Sequence, residues 1–393
     1  VEEAGRPRVA TELAVAYGRI LRLEFTTLDP SHSSVLTLTE ELRVALGYSD
    51  RVEIVPVRLS GLRSEAPGAR GRPAPLFVLP NGGGLGYGEF HLDAASLEWL
   101  AARTPDIADA LTRGSAWVTL WDAMLNAELR ASRIVDLAMA ALPRETDELN
   151  TQRILAYLEQ AYWRFTPDQE RLRLAPQIEA RLRERLAAAS TASLKGAFFA
   201  SLRNVALTSG TLDWLARVWR GDEVVPGLML AETDFITLAQ ELAVRAAPGW
   251  QAILEQQVER TLNPDRRARL QFVLPAMSAD SSERDRFFNS LAEAANRRRE
   301  AWVLDAVRYL NHPLRAAQAV GRIEASLALL QEIQQTGDIF FPKRWVDATL
   351  WGHRSPEAAR VVRSFLDRVP ASYPDRLRRI ILASADDLFR AAR

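Results

Sequence analysis

FVLPNGGGLGYGEFHLD, Phe77–Asp93, sits where the hydrophobic period of this chain changes. Upstream of it, apolar residues alternate with polar ones; downstream they recur every three or four residues. The stretch holds the densest run of glycine in the chain, NGGGLGYG (Asn81–Gly88), followed by the helical pattern DAASLEWLAA. A glycine-rich turn between a strand and a helix is one way to cradle a phosphate. A P-loop, however, needs GxxxxGK[ST], and no lysine follows Gly88. A dinucleotide fingerprint opens a helix, whereas EFHLD after these glycines alternates like a strand. The residues favour a tight connection between the last two strands of a β domain, with glycine supplying positive φ. In that reading Asn81 fixes the turn through its side chain and Tyr87 begins the next strand.

Working outward toward the N-terminus, the period is two. Leu21, Leu23 and Phe25 alternate with Arg22, Glu24 and Thr26; Leu42, Val44 and Leu46 alternate with Arg43 and Ala45; Val55, Val57 and Leu59 alternate with Pro56 and Arg58. These runs read as strands with one buried face, and Pro56 marks an edge strand. SEAPGARGRPAP (Ser64–Pro75) reads as a loop by composition. A small antiparallel β-sandwich over residues 1–92 follows.

Toward the C-terminus the period is helical. Ile154, Tyr157, Leu158, Ala161, Tyr162 and Phe165 share one face, as do Leu194, Phe198, Leu202 and Val205, and Val320, Ile323, Leu327 and Leu330. A capping residue followed by proline signs helix starts at Thr104, Thr166, Asn263 and Ser355. Their uneven spacing excludes a strict repeat. The expected fold is mainly α with a small all-β domain: an N-terminal antiparallel β-sandwich, then an irregular α-solenoid, a HEAT/armadillo-like superhelix, over residues 93–393.

Composition narrows function by exclusion. The chain has 393 residues, beyond the ~250–300 at which one core stops growing, so at least two domains are expected. Lys+Arg and Asp+Glu both total 50, which leaves no net field for nucleic acid or an anionic membrane surface. Arginine is interleaved with acidic residues along helical faces, a pattern that reads as solvated surface. There is no cysteine, hence no disulfide framework, thiolate metal site or cysteine nucleophile. No apolar run reaches the ~18 residues of a membrane span. A start at Val1 without a signal-peptide pattern reads as a piece excised or processed from a longer chain.

No catalytic constellation stands out. His32, His91, His312 and His353 form no local ligand pair, and HExxH and GxSxG are absent. A lone histidine in such a chain reads first as a capping or packing residue. FFPKRWVDATLWGHR (Phe340–Arg354) mixes basic and aromatic residues as single-strand binders do. The neutral balance and the spacing of Trp345, Ala348, Thr349 and Gly352 favour a helix packed in the core instead.

Several phrases, taken in order, resemble the C-terminal portion of zinc aminopeptidases of the aminopeptidase N family. VEEAGRP resembles the phrase that closes the catalytic domain, and FVLPNGGGLGYGEFHLD the junction between β-sandwich and helices. RGSAWVTLWDAMLNAEL (Arg113–Leu129) resembles the first helices of the superhelix. TGDIFFPKRWVDATLWGHRSPEAARVVRSFLDR resembles the last helical hairpins of bacterial members. The resemblance implies a parent that removes N-terminal residues from peptides, with its zinc held by HExxH and a distal Glu in a catalytic domain absent here. This chain alone is then expected to be inactive and to hold no cofactor or metal. Its implied part is to cap the active-site cleft and to help bind and size-select peptides. The implied partners are peptide substrate and the missing catalytic domain, with no nucleic acid and no membrane span, in a monomer of the bacterial cytoplasm or periplasm. NHPLRAAQ with Arg315 and SPEAARVV with Arg360 resemble the positions of inward-facing arginines able to take a peptide carboxylate. A free-standing α-solenoid that binds peptides or proteins is the alternative.

Overall fold

The computed structural model describes residues 6–28 and 39–393. The VEEAG part of the opening phrase and His32 lie outside the described residues. Among the described residues seven strands come first: β1 Arg8–Ala16, β2 Arg19–Leu28, β3 Thr39–Gly47, β4 Val52–Ser60, β5 Arg63–Glu65, β6 Phe77–Leu79 and β7 Glu89–His91. They form one sheet in the order β5-β2-β1-β7 and another in the order β4-β3-β6. Pairing is antiparallel throughout except for β1 with β7, which is parallel. Val9, Leu23 and Phe25 from the first sheet meet Leu42, Val44, Val55, Val57 and Val78 from the second in one core. Pro56 lies on β4, an edge strand, as its missing N–H requires.

The alternation fails at Leu21 for a local reason, and Glu24 and Ala45, on outward positions of the period, are buried as well. Leu21 is 54% exposed while Ile20 is 2% exposed. Ala14 pairs with Arg22 and Val15 with Ile20, so Leu21 is an extra residue opposite no partner. This bulge reverses the facing of the strand, and Ile20 takes the inward place that the period assigned to Leu21.

The glycine stretch is a crossing rather than a hairpin. It leaves β6 in one sheet and enters β7 in the other. Asn81 holds it: Nδ2 donates to Gly86 O at 3.1 Å and Oδ1 accepts from Gly86 N at 2.8 Å. Within the loop only Gly84 takes a positive φ, at 68°. Gly82 is needed for a different reason, since a Cβ there would come within 2.5 Å of the Ala45 Cβ. Tyr87 precedes β7 and is exposed.

The helices begin with α1 Ala94–Arg103, α2 Ala110–Leu125, α3 Ala131–Ala141 and α4 Glu148–Gln160. Asp93, Asp109 and Asp147 cap α1, α2 and α4 by accepting from backbone N–H groups. The change from strand to helix falls between His91 and Ala94, but the chain divides into compact units at Val1–Ala161 and Tyr162–Arg393. The reason is packing: α1 lies on β6 and α2 on β7, so the first helices share a body with the sheets. The unexposed side of the short edge strand β6 is closed by Ser96 of α1, whose Oγ accepts from Val78 N at 2.8 Å.

In the second unit helices pack on neighbours and on helices two or three places further along the chain. Asp168–Ala188 packs on Ala192–Val205, and Glu232–Val244 on Trp250–Arg260. Further along, Pro264–Met277, Glu300–Leu310, Phe341–Leu350 and Asp375–Ser384 stack in one row, and Ala316–Ala328 packs on Pro356–Arg368. Such stacking is how solenoid helices bury both sides. Asn263 and Ser355 cap their helices as expected. Thr104 instead lies in a 3₁₀ turn, its Oγ1 donating to Leu100 O at 2.7 Å, so TPD there ends a helix rather than starting one. At Thr166 the helix begins at Asp168 with Pro167 in the capping position.

The arginines are not all solvated surface. Arg113, Arg171, Arg284, Arg297, Arg315 and Arg322 are buried. Arg113 donates from Nη1 to the Ile107 and Ala108 carbonyls, both at 2.8 Å, and from Nε and Nη2 to Glu145. Arg284 repeats the pattern with Ser278 and Ala279 carbonyls and Gln318, and Arg297 with Leu291 and Ala292 carbonyls and Glu332. Each arginine reaches back six and five residues and forward 32, 34 or 35. A guanidinium fork has enough donors to satisfy loop carbonyls left without helical partners and still bond the next helix pair. Irregular caps therefore hide a regular device.

Candidate functional site

A cleft of about 450 Å³ opens in the second unit, lined from helices Glu232–Val244, Pro264–Met277 and Glu300–Leu310, with His312 and Trp351. A neighbouring hollow of about 400 Å³ shares Arg269, Asp305, Arg308 and Trp351 and adds Arg164 and Arg344. The intervening helices Trp250–Arg260, Ser281–Ser290 and Ala316–Ala328 contribute no lining residue. One helix of each pair thus builds the wall, and side chains at helical spacing on it share one surface.

The charges there are unequal in their engagement. Arg269 donates to Asp305 at 2.6 Å, Arg266 to Glu232 at 3.2 Å, and Arg164 pairs with Asp387. Burial pushes the Asp305 carboxyl above the usual carboxylate range, opposed by Arg269 and Arg308. The Arg308 guanidinium lies 5.0 Å from the ring centroid of Trp351, whose Nε1 donates back to Arg308 O at 2.9 Å. Arg308 has no carboxylate partner among the described residues, and Arg344 only stacks on Phe340 at 5.8 Å. The Tyr309 hydroxyl sits 3.3 Å from Gln240 Oε1 and 3.4 Å from Glu241 Oε1. Burial, then Glu241 and Asp305, pushes it well above its ordinary pKa, so it stays a neutral hydrogen-bonding group.

His312 forms the back of the cleft. Its ring meets Trp163 at 5.4 Å and Trp351 at 5.5 Å, both edge-on. Nδ1 accepts from Leu314 N at 3.2 Å, which places the ring proton on Nε2. Burial and then Arg245, Arg315, Arg171 and Arg308 hold it well below the ordinary histidine value, hence neutral. The cleft is a set of binding groups: it has cations, an aromatic shelf and neutral donors, but no nucleophile paired with a base.

The two arginines singled out in the sequence lie elsewhere. Arg315 is buried, with Nη1 on Ala276 O and Nη2 on Met277 O, both at 2.8 Å, tying down the end of helix Pro264–Met277. Burial, then Arg284 and Arg322, brings its pKa down to about 10. Arg360 is exposed on helix Pro356–Arg368 and lines neither hollow. Trp345 is fully buried with Nε1 on Ser326 O at 3.0 Å, so the aromatic run Phe340–Arg354 is mostly core. Sequence reading passed over Arg308, Tyr309 and Trp351. Asp305, Arg308 and His312 do recur at helical spacing, but that pattern is shared by any solvated face.

Among the described residues no three His, Cys, Asp or Glu side chains converge as ligands. His91 is instead bonded between Glu89 and Glu128, and His353 faces Asn311. No helix is long and apolar enough to cross a membrane among the described residues.

The described residues thus form two β-sheets packed on one core, followed by packed helix pairs that wall a cleft. The chain belongs to the ERAP1-like C-terminal domain family, whose model matches residues 77–388. It is thus a non-catalytic C-terminal domain of the aminopeptidase N type. No curated protein gives a significant match.

Proposed function

We propose that this region caps the active-site cleft of a zinc aminopeptidase and holds the part of a peptide remote from the scissile bond. The observation behind this reading is Arg308, an open guanidinium laid on Trp351 in a cleft built by alternate helices. A guanidinium in that state takes a carboxylate in bidentate fashion, and the indole holds the planar fork in orientation and partly desolvates it. Arg344 adds a second open cation to the neighbouring hollow. Arg360, exposed and outside both hollows, is assigned the far end of longer peptides. Arg315 serves indirectly, by holding the helix end beneath. Enclosure by such a domain limits peptide length and excludes water from the chemistry elsewhere.

The test uses the full-length parent. Arg308→Ala should lower kcat/KM for peptides of several residues by about tenfold, the size of one lost charge-assisted bond pair, and leave a single-residue amide unchanged. Equal losses on both substrates would refute the assignment. This chain alone should not hydrolyse alanyl or leucyl amides with or without zinc; chelator-sensitive turnover would overturn the accessory role.

A further inference from the structure

A further cleft among the described residues lies apart from that role. It measures about 930 Å³, lies in the first unit, and is walled by β3, β4, the glycine loop, and helices α1 and α2. That is within the ~300–1,000 Å³ typical of small-molecule sites. Its floor is apolar: Trp99 stacks on Phe77 with ring centroids 4.7 Å apart. Ile54, Leu76 and Leu111 line the same hollow and all keep substantial exposed surface, Leu111 being 61% exposed. Apolar surface gathered in one concavity, rather than scattered, is the feature that marks a binding site. The glycine loop is pressed flat against Ala45 and adds backbone, not bulky side chains, to the wall.

The rim charges decide what kind of ligand fits. Asp50 pairs with Arg51 at 3.0 Å, and Asp106 with Arg103 at 3.3 Å and Arg144 at 2.7 Å. Asp109 caps α2, accepting from Thr112 N at 2.7 Å and Thr112 Oγ1 at 2.6 Å. Arg51 also lies over the Tyr48 ring at 4.8 Å and bonds Glu53. Every rim carboxylate is engaged, and two of the three rim arginines are as well. Arg43 is the exception. Its stem runs along Gly83, with Cδ 3.3 Å from where a Cβ would stand, and its guanidinium meets no carboxylate among the described residues.

We propose that this cleft binds an amphipathic monoanion: an aryl or alkyl body against Trp99, Leu76 and Leu111, and a carboxylate on Arg43. A cationic ligand would meet only carboxylates already held by arginines or by a helix cap, and a neutral one would leave Arg43 unmatched. The site is independent of the peptide role of the second unit, and neither depends on the other.

Calorimetric titration of the full chain with 2-naphthoate and its neutral analogue 2-naphthalenemethanol tests this. The expected result is one saturable site per chain, with naphthoate preferred about tenfold, the worth of one charge-assisted hydrogen-bond pair. Arg43→Gln should abolish the preference while leaving the alcohol's affinity unchanged. Leu111→Ser, on a different element, should weaken both probes about equally and keep the preference. Absence of a saturable site, several equivalent sites, or a carboxylate preference that survives Arg43→Gln overturns the proposal. So does naphthoate binding indifferent to Leu111→Ser, which keeps the test decisive even if Arg43→Gln fails to fold.

Discussion

Replacing His353 with glutamine should change how stability responds to acid. His353 is buried and its Nε2 donates to Asn311 Oδ1 at 3.0 Å. Burial, then Arg322, lowers its pKa from 6.5 to about 4. The folded protein therefore holds this ring neutral while the unfolded chain protonates it once pH falls below about 6.5. The stabilisation is complete above that value, declines as pH falls, and is exhausted near pH 4, where the folded state also takes the proton. One pH unit is worth ~1.36 kcal/mol, so the full window amounts to about 3 kcal/mol and the span from pH 7 to pH 5 to about 2 kcal/mol. Glutamine keeps an N–H donor for Asn311 and does not titrate. Urea unfolding followed by tryptophan fluorescence at pH 7, 6 and 5 gives the comparison. The variant is expected to be less stable or equal at pH 7 and to gain about 2 kcal/mol on the wild type by pH 5. His312, whose burial acts in the same direction, and His91, whose pKa is raised mainly by its bond to Glu128, with the opposite sign, are common to both proteins and cancel. Parallel stability curves for the two proteins would refute the reasoning, because the histidine would then titrate alike folded and unfolded.

Other substitutions test the packing. Arg284→Ala strips donors from the Ser278 and Ala279 carbonyls and from Gln318, and should cost about 3 kcal/mol by thermal or urea unfolding. Arg284→Lys should recover only part of that, since one ammonium cannot reproduce the fork; full recovery would mean the charge alone matters. Gly82→Ala should destabilise by roughly 1–3 kcal/mol because its Cβ meets Ala45, whereas Gly196→Ala, in open space within helix Ala192–Val205, should stabilise by roughly 0.5–1 kcal/mol. Ile20→Ala should cost about 2–4 kcal/mol and Leu21→Ala within about 0.5 kcal/mol; the reverse order would remove the bulge from β2.

Much of the architecture was legible because it rests on period and on local chemistry. Leu42, Val44 and Leu46, then Val55, Val57 and Leu59, face inward as their alternation requires. Ile154, Leu158, Ala161 and Tyr162 are buried together at helical spacing. Asn81 bonds its own loop, and Asn263 and Ser355 cap their helices, because those bonds span only a few residues. The order of the family phrases did the rest, and the match over residues 77–388 agrees with it.

What distance along the chain separates was hidden. The bulge at Leu21 arises from pairing with β1, so no reading of β2 alone reveals it. Thr104 looked like a helix start until α1 was seen to end upon it. Arg315 and Arg308 are the same residue type, seven positions apart, and local pattern cannot tell them apart. One has its donors on carbonyls 38 and 39 residues away; the other lies open on an indole 43 residues away. The sequence by itself determined the apolar faces of the unbulged strands and of the helices, where the chain turns from strand to helix, and that HExxH is absent from these residues. Only the tertiary structure decided which guanidinium groups are used up by buried carbonyls and which remain for a ligand. That choice depends on desolvation and on donors meeting acceptors across helix pairs, and neither exists before the helices pack.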